Sequence, residues 1–435
     1  MKNKIFVPLL LVASSLLMAQ NHTTLRLEDA INRSLSNSKA VKVSEAATTS
    51  AEWKAKTAKN HQLPDLNISG QYQQILSKGD TKLKMQLPAG AGSGMVNVNP
   101  DHVLFGTAGV SLPIYAGGQI KGAIKQSNLA VDLSKLQLES TKEDVVWQTI
   151  NLYFGIYKTQ KTLEVLNENL VRANQRVKDF QNFLDNGIIA RNDFLRAKLQ
   201  ASNVQIAIEE ATNNYVNLNY RLKVLMGDPN DLDYDVMESE NIFIENQSDE
   251  SLLQRKDILS VEKQKEIAEE AVRIAKAAYY PQIGFTGNYY AIDIDQIASM
   301  FNSLTVGVGL KYDLSSIYKN KREVEYARAK KVETEMQLEA LKDKAKIELN
   351  EAHQKYTLAE KKNKVYEEAF EQAVENYRIV KDKYDNGLAD TDQLLEADIQ
   401  QLQAEINKVV GEADQALAGY EFLYTQGSLI ESTKK

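Results

Sequence analysis

Cysteine is absent from the sequence, and histidine is rare. The lack of cysteine excludes disulfide bonds, zinc thiolate sites and a lipid-modified N-terminal cysteine. The four histidines stand far apart along the chain, and no phosphate-binding loop or His-Glu zinc motif accompanies the many carboxylates. We therefore expect no catalytic residue, no metal and no cofactor, and the chain is not expected to be an enzyme.

Long apolar runs are also missing, apart from one near the N-terminus. The run over residues 5–18 is about 14 residues long, shorter than the roughly 20 that a membrane-spanning helix needs. Because two lysines precede it and Ala19 follows it, it predicts a signal peptide over residues 1–19. An uncleaved anchor is the alternative. The mature protein is expected outside the cytoplasm, and any membrane crossing must use β-strands.

Charge of one sign is not in large excess. The formal net charge of −7 argues against a nucleic-acid partner. A solvated acidic surface explains the same balance equally well.

The sequence contains an internal repeat with an offset of 200 residues. Asp185-Asn186-Gly187 recurs as Asp385-Asn386-Gly387. Further identities at the same offset are Leu195/Leu395, Ala197/Ala397, Gln200/Gln400, Tyr220/Tyr420 and Gly227/Gly427. The first half carries about 19 extra residues, and the Gly- and Pro-bearing stretch 87–94 within them is expected to be a surface loop.

Proline is scarce, and its placement separates helices from strands. All seven prolines avoid residues 114–228 and 282–435, which are rich in strong helix formers. Helices from Gln119 to Asp185 and from Ser316 to Asp385 would each reach about 100 Å. Each is expected to turn at an Asp-Asn-Gly and to return as an antiparallel coiled-coil helix. Shorter helices are predicted over residues 27–60 and 251–278.

Four segments alternate apolar and polar residues, which predicts β-strands. They begin near Leu66, Leu104, Ile283 and Leu304, and each has about 10 to 12 residues, the length of a tilted membrane strand. Four half-buried strands of a soluble sheet are the alternative. Strands in lipid must leave no open edge, and small barrels need roughly eight or more strands. A membrane barrel would therefore require several copies of the chain, and three copies would supply twelve strands.

Several motifs occur in a fixed order along the mature chain. They are Leu25-Arg26-Leu27-Glu28-Asp29-Ala30, Leu63-Pro64-Asp65-Leu66, Ser111-Leu112-Pro113-Ile114-Tyr115, Tyr280-Pro281, Asp193-Phe194-Leu195-Arg196-Ala197 and Leu394-Leu395-Glu396-Ala397. In this order the chain resembles the TolC-like outer membrane efflux proteins over almost its whole mature length. The expected fold class is mostly α with a membrane β-barrel portion, built from two repeats of long coiled-coil helices plus a β-hairpin.

The resemblance implies an outer-membrane channel subunit with a large periplasmic portion, acting in efflux or type I secretion. It implies a homotrimer with a twelve-stranded barrel and a twelve-helix tunnel. The implied partners are a periplasmic adaptor protein, an inner-membrane transporter of the RND or ABC type, and outer-membrane lipid. A periplasmic adaptor or coiled-coil scaffold without a pore is the alternative, but it leaves the duplicated strands unexplained.

The resemblance also implies site residues at the two helix turns. The adaptor contacts would be Asn186, Gly187, Ile188, Asn386, Gly387 and Leu388. The periplasmic gate would use Asp193, Tyr384, Asp390, Asp392, Gln393 and Glu396. Gln393 stands where the family has the first carboxylate of an acidic constriction, and Asp398 is a further candidate for restoring a negative ring.

The predicted segments follow one another along the whole chain. They are the signal peptide (1–19), N-terminal helices (20–62), the first β-hairpin (63–116), the first long helical hairpin (117–227), an equatorial connection (228–250), a helix of the second repeat (251–280), the second β-hairpin (281–314), the second long helical hairpin (315–427) and a C-terminal tail (428–435).

Overall fold

Two long helical hairpins run from one end of the molecule, and a four-stranded antiparallel sheet lies at the other. A computed structural model describes residues 23–76, 81–86, 93–98, 100–228, 233–237, 254–295 and 297–433, with the backbone alone for 81–86 and 93–98. Each half of the chain supplies one long hairpin and two strands of the sheet. The predicted duplication is therefore present in the fold.

The helices follow the sequence pattern closely. They are α1 (Leu27–Asn37), α2 (Lys39–Asn60), α3 (Gln119–Asp185), α4 (Arg191–Met226), α5 (Lys256–Ala277), α6 (Ser316–Asp385), α7 (Thr391–Gln426) and α8 (Leu429–Ser432). Helices α3 and α6 contain 67 and 70 residues, and α4 and α7 contain 36 each. Both return helices end on a glycine with positive φ, Gly227 and Gly427, which is the usual helix stop.

The strands are β1 (Thr23–Leu25), β2 (Asp65–Gln74), β3 (Thr81–Gln86), β4 (Ser93–Val98), β5 (His102–Ala116), β6 (Tyr234–Val236), β7 (Gln282–Ile294) and β8 (Ala298–Lys311). The large sheet has the order β2-β5-β7-β8, with every neighbouring pair antiparallel. Strands β3 and β4 pair with each other beyond the β2/β5 hairpin. The insertion of the first half is thus mainly a hairpin. The surface loop predicted over residues 87–94 is wrong for residues 93–94, which belong to β4. Residues 87–92 lie outside the described residues.

The helices pack side by side, and the order of neighbouring helices differs between the turn end and the sheet end of the molecule. Near the turns the contacts give the order α4-α3-α7-α6, and near the sheet they give α2-α3-α5-α6. Helix α3 lies between neighbours at both levels, which explains its many buried positions. Helices α4 and α6 are the two ends of the row near the turns. Within the described chain, no helix packs against the outer side of either one there.

One face of the large sheet is apolar and the other is polar. Residues that pair directly across strands share a face, so Leu66, Val110, Gly287 and Val306 form one apolar row. The neighbouring row on the opposite face is Asn67, Gly109, Asn288 and Thr305. Leu66, Val306 and Leu310 are 80%, 71% and 70% exposed, so the protein itself leaves the apolar face uncovered.

Gly109 has a steric reason for lacking a side chain. A Cβ atom added there would lie 2.4 Å from Oδ1 of Asn67 and 2.8 Å from Oδ1 of Asn288. Glycine therefore lets two amide side chains approach from both neighbouring strands. The polar face has close side-chain packing of its own, which includes a 2.7 Å hydrogen bond between the hydroxyls of Ser69 and Thr107.

The main core lies at mid-height, where the short strands β1 and β6 pair in parallel beside α3 and α4. The buried Tyr153 hydroxyl donates to the Leu25 carbonyl at 2.9 Å. The buried Asn219 side chain accepts a 2.8 Å bond from the Tyr234 amide and donates to the carbonyl of the same residue. These polar side chains form hydrogen bonds with backbone groups of β1 and β6, two three-residue strands that are too short to be stable by themselves.

Glu143 of α3 lies at the level where α5 begins. Burial raises the pKa of this carboxyl to about 7; Lys256 opposes the rise, and Asp144 and Asp257 add to it. The folded state therefore holds the proton more tightly than the unfolded chain. This contribution to stability is complete below pH 4.5, the ordinary pKa of the group, and is lost as pH rises through 7.

Glu143→Gln is therefore expected to stabilise the protein at pH 8 and to change little at pH 5. The gain should be about 1–2 kcal/mol, since the site is partly open to solvent. Thermal unfolding at the two pH values measures it, with the exposed Glu168→Gln as the matched control. If the wild type and Glu143→Gln lost stability equally between pH 5 and pH 8, Glu143 would not be the titrating group.

Several sequence expectations need correction. The helices predicted over 27–60 are α1 and α2, separated at Ser38, and the helix predicted from 251 begins at Lys256. The segments predicted as N-terminal helices, connection and tail also contain β1, β6 and α8. Among the described residues, no helix is long and apolar enough to cross a membrane.

Candidate functional site at the two helix turns

The turns between α3 and α4 and between α6 and α7 have the same backbone structure. Gly187 and Gly387 have φ of +68° and +71°. The Ile188 amide donates to the Phe183 carbonyl, and the Leu388 amide donates to the Lys383 carbonyl, both at 2.8 Å. Such bonds satisfy the free carbonyls at a helix end and require a left-handed residue, which glycine provides. The duplicated motif thus encodes two equal turns.

The two asparagines complete these turns. Asn186 donates from its side chain to the Asn182 carbonyl, and Asn386 donates to the Asp382 carbonyl, both at 2.7 Å. Ile188 and Leu388 then lie on the outside of the turns and are 68% and 78% exposed. All six residues predicted for adaptor contact are exposed at this end.

An aromatic cluster joins the two turns to each other. The rings of Phe180 and Tyr384 stack with centroids 5.8 Å apart. Ala197 and Leu394 are buried in the same cluster. The hairpins therefore meet at the tip through apolar packing.

Asp193 and Tyr384 lie close enough to interact electrostatically. Burial raises the pKa of the Tyr384 hydroxyl above its usual value; a hydrogen bond with Thr391 lowers it, and the charge of Asp193 raises it further. Among the described residues, no hydrogen bond joins Asp193 to Tyr384 directly. The structure therefore brings the predicted pair together, with Thr391 as an additional member.

Asp390 and Gln393 form the N-terminal cap of α7. The Gln393 amide donates to Oδ1 of Asp390 at 2.9 Å, and the Asp390 amide donates to Oε1 of Gln393 at 3.3 Å. This capping box satisfies two amides that a helix start leaves free. Both side chains thus stabilise the start of α7, independently of any role in a channel opening.

Asp392 and Glu396 are both exposed. Asp392 forms an ion pair with Arg196 of α4, which links the first turn of α7 to the neighbouring hairpin. Glu396 accepts a 3.2 Å bond from Gln400, one turn further along α7. Glu396, like Asp193, therefore has neither a capping role nor an ion pair in the described structure.

A buried ion pair that the sequence reasoning missed lies next to this tip. Arg176 of α3 donates to both carboxylate oxygens of Asp398 at 2.8 and 2.9 Å. It also donates to the hydroxyl of Tyr377 at 3.1 Å. Arg176 and Asp398 are only 8% and 2% exposed. Asp398 is thus paired inside the protein, so its predicted place in a negative ring is wrong.

A signal for this pair was available in the sequence. The buried stripe of α3 near the turn reads Leu166, Asn169, Ala173, Arg176, Phe180, with steps of three and four residues. An arginine within such a stripe requires a buried partner.

Comparison with solved structures places the fold among outer-membrane channels. The chain is similar to the outer-membrane channel OprN, with a TM-score of 0.80 and 16% identity over 92% of this chain and 90% of that one. It is similar to VceC from Vibrio cholerae, with a TM-score of 0.77 and 16% identity over 92% and 96%. It is also similar to the CmeC channel of Campylobacter jejuni, with a TM-score of 0.76 and 18% identity over 94% and 89%.

A search among curated protein sequences gave no match. The family model for outer membrane efflux proteins matches residues 30–228 and 248–419, which is most of the chain. The fold and the paired turns define an outer-membrane efflux channel rather than an adaptor without a pore. The chain belongs to the outer membrane efflux protein family.

Proposed function

We propose that three copies of this chain form one continuous channel, with the sheets closed into a barrel in the outer membrane and the helices forming a periplasmic tunnel. The proposal rests on the unpaired edges and the exposed apolar face of the large sheet. Within the described strands, the outer edges of β2 and β8 have no partner, and one face is apolar and exposed. Lipid covers an apolar face, but it cannot satisfy an open strand edge.

Further copies of the chain satisfy both edges. Strands β2 and β8 would be antiparallel neighbours across a seam, because three antiparallel pairings separate them within one chain. Helices α4 and α6 are the outer helices at the turn end, and each exposes apolar residues. On α4 they include Leu195, Leu199, Ile206 and Tyr220, and on the turn half of α6 they include Leu358 and Val365.

The strand count sets a lower limit on the number of copies. Two copies would give about eight strands, whose interior is filled by side chains. Three copies give about twelve strands and leave space for water. The polar row with Asn67 and Thr305 would then face the lumen, while the row with Leu66 and Val306 would face lipid.

The turns would lie at the far end of the tunnel, about 100 Å from the sheet. Ile188 and Leu388 are apolar side chains exposed to solvent at the tip. Such exposed apolar side chains are suited to contact with helices of a periplasmic adaptor. Through the adaptor, the channel would serve an inner-membrane transporter of the RND or ABC type. The channel itself would be passive.

The same turns would form the gate. The stacking of Phe180 on Tyr384 and the Arg196–Asp392 ion pair would hold the two hairpins together, with the charge of Asp193 close to Tyr384. Three symmetry copies of Glu396, supported by Asp390 near the cap, would place negative charge around a narrow opening. Such a ring favours cations and repels anions.

Fractionation and gel mobility test the assembly. We expect the protein in the outer-membrane fraction, as a trimer in unheated samples that becomes a monomer on boiling. A soluble periplasmic monomer would contradict the channel and support a scaffold role.

The gate is tested by removing its polar contacts. Asp193→Asn combined with Tyr384→Phe is expected to raise the open fraction of the channel in planar bilayers by about fivefold, since the hydrogen bond of Tyr384 with Thr391 is worth about 1 kcal/mol and the charge of Asp193 is removed as well. The matched control is Asp343→Asn with Tyr318→Phe, two exposed residues of α6 away from the turn. Closed-state conductance equal to that of the wild type would rule out a gating role for the pair.

A further inference from the structure

The helices meet the large sheet at four junctions, and the residues there are strongly basic. Helix α2 precedes β2, α3 follows β5, α5 precedes β7 and α6 follows β8. We call the eleven residues next to each of these strands, 54–64, 117–127, 271–281 and 312–322, the rim segments. Together they contain one acidic residue, Asp313, and ten basic ones. The ten are Lys54, Lys56, Lys59, Lys121, Lys125, Arg273, Lys276, Lys319, Lys321 and Arg322.

The excess of positive charge is confined to this level, although the whole chain has a net charge of −7. The next eleven residues of each helix, 43–53, 128–138, 260–270 and 323–333, form an acidic layer with ten aspartates and glutamates but only six lysines and arginines. The centres of the two levels lie about 16 Å apart by helix rise. Charges in physiological salt are screened beyond roughly 8 Å. The acidic layer therefore leaves most of the rim charge unneutralised.

Most of the rim cations have no ion-pair partner. Lys125 and Arg273 share the buried carboxylate of Glu270, at 2.6 and 2.9 Å. Within the part of the chain that the structure describes, none of the other eight forms an ion pair, and all eight are exposed. In the acidic layer, by contrast, Lys263 and Lys330 each bind a glutamate. Because like charges at one level repel one another, the rim is suited to an anion from outside the chain.

Apolar and aromatic side chains at the same level continue the apolar face of the sheet. Tyr115 pairs with Ile283, and Ile283 pairs with Leu310, so the three residues form one row on that face. Beyond the end of β8, Leu314 and Tyr318 are 67% and 68% exposed. Tyrosine rings concentrate where acyl chains meet headgroups, and lysines near them extend their charge toward the polar side. The rim thus has the composition of a membrane interface.

Two rim lysines lie directly beside exposed tyrosines. Lys121 lines a cavity of about 270 Å³ together with Ile114 and Tyr115. The Nζ atom of Lys319 lies 5.9 Å from the centre of the Tyr318 ring. Because Tyr115 belongs to the apolar face, Lys121 lies next to the side of the sheet that lipid would cover.

We infer that the rim segments bind the phosphate headgroups of anionic phospholipids in the periplasmic leaflet. The inference rests on the proposed function, which places the apolar face of the sheet in the outer membrane. The row with Tyr115 and Leu310 would end at the level of the headgroups, and the unpaired cations would lie among the phosphates. An anionic membrane surface attracts each nearby lysine and arginine. Three copies would therefore surround the barrel with a basic ring that gathers anionic lipid.

The lipid preference of the purified trimer tests the inference. In vesicles of phosphatidylcholine and phosphatidylglycerol, spin-labelled lipids measure which lipid stays at the protein surface. We expect the wild type to prefer phosphatidylglycerol by about fivefold, and a variant that loses one lysine from each rim segment to prefer it by less than about twofold. That variant combines Lys59→Gln, Lys121→Gln, Lys276→Gln and Lys319→Gln.

The matched control removes the same charge from the acidic layer. It combines Lys135→Gln, Lys263→Gln, Lys265→Gln and Lys330→Gln, and its lipid preference should equal that of the wild type. Salt provides a second test that needs no substitution. In 1 M NaCl the preference of the wild type should almost disappear, because the screening length falls to about 3 Å.

The outcomes separate this inference from the proposed function. A wild-type trimer without preference for phosphatidylglycerol would overturn the inference, and so would an unchanged preference in the rim variant. A rim variant that changed the ion selectivity of the pore but kept its lipid preference would show that these cations line the lumen, which also overturns it. A wild-type protein that forms neither a trimer nor a pore would instead refute the proposed function.

Discussion

Arg176→Met is expected to destabilise the helical part of the protein by about 3–5 kcal/mol, the usual cost of breaking a buried ion pair on one side. The substitution leaves the Asp398 carboxylate 2% exposed and without its bidentate partner. It also removes the bond to Tyr377. Burial lowers the pKa of the Arg176 guanidinium, but the hydrogen bonds and charge of Asp398 raise it above its ordinary value, so the guanidinium is charged at every accessible pH.

The matched controls separate lost charge from lost packing. Lys178→Met, two residues along on the exposed side of α3, should change stability by less than about 0.5 kcal/mol. Arg176→Met combined with Asp398→Leu removes both charges and should recover most of the loss, because no charge is left buried alone. Denaturant unfolding in detergent, followed by circular dichroism, measures all three. A double variant as unstable as Arg176→Met would mean that shape, not charge, holds the contact.

The long helices could be predicted from the sequence because their signals are local. The Asp-Asn-Gly motifs set both turns, and the absence of proline over residues 114–228 and 282–435 leaves each helix uninterrupted. Gly227 and Gly427 mark the ends of the return helices. The strands were also readable, since alternation over ten or more residues is a strong pattern.

Other features depend on contacts between residues that are far apart in the sequence. Strands β1 and β6 have three residues each, too few for a period, and they exist because Tyr153 and Asn219 bind their backbone. Asp398 stands 222 residues from Arg176, and its orientation follows from helix packing that no local pattern specifies. The positions of the two turns could therefore be predicted from the sequence, but the bonds formed by the residues around them could not.

Val306→Lys is expected to prevent stable insertion of the barrel, whereas Thr305→Lys, at the next residue, should be tolerated. The two side chains lie on opposite faces of β8 near its middle. Val306 belongs to the apolar row with Gly287, Val110 and Leu66, and Thr305 belongs to the polar row with Asn288. A lysine on the lipid side at the bilayer midplane costs about 2–4 kcal/mol, and a trimer would carry three.

The comparison is strict because the two variants share the residue type introduced, the strand and the depth. Heat-sensitive trimer mobility and the amount of protein in the outer membrane measure the difference, and the conductance of Thr305→Lys shows whether the lumen remains open. The added positive charges should also reduce the preference for cations. If Thr305→Lys proved the more damaging variant, the polar row would not line a water-filled lumen. Equal tolerance of both lysines would indicate a sheet surrounded by water, because only lipid distinguishes the two faces by several kcal/mol.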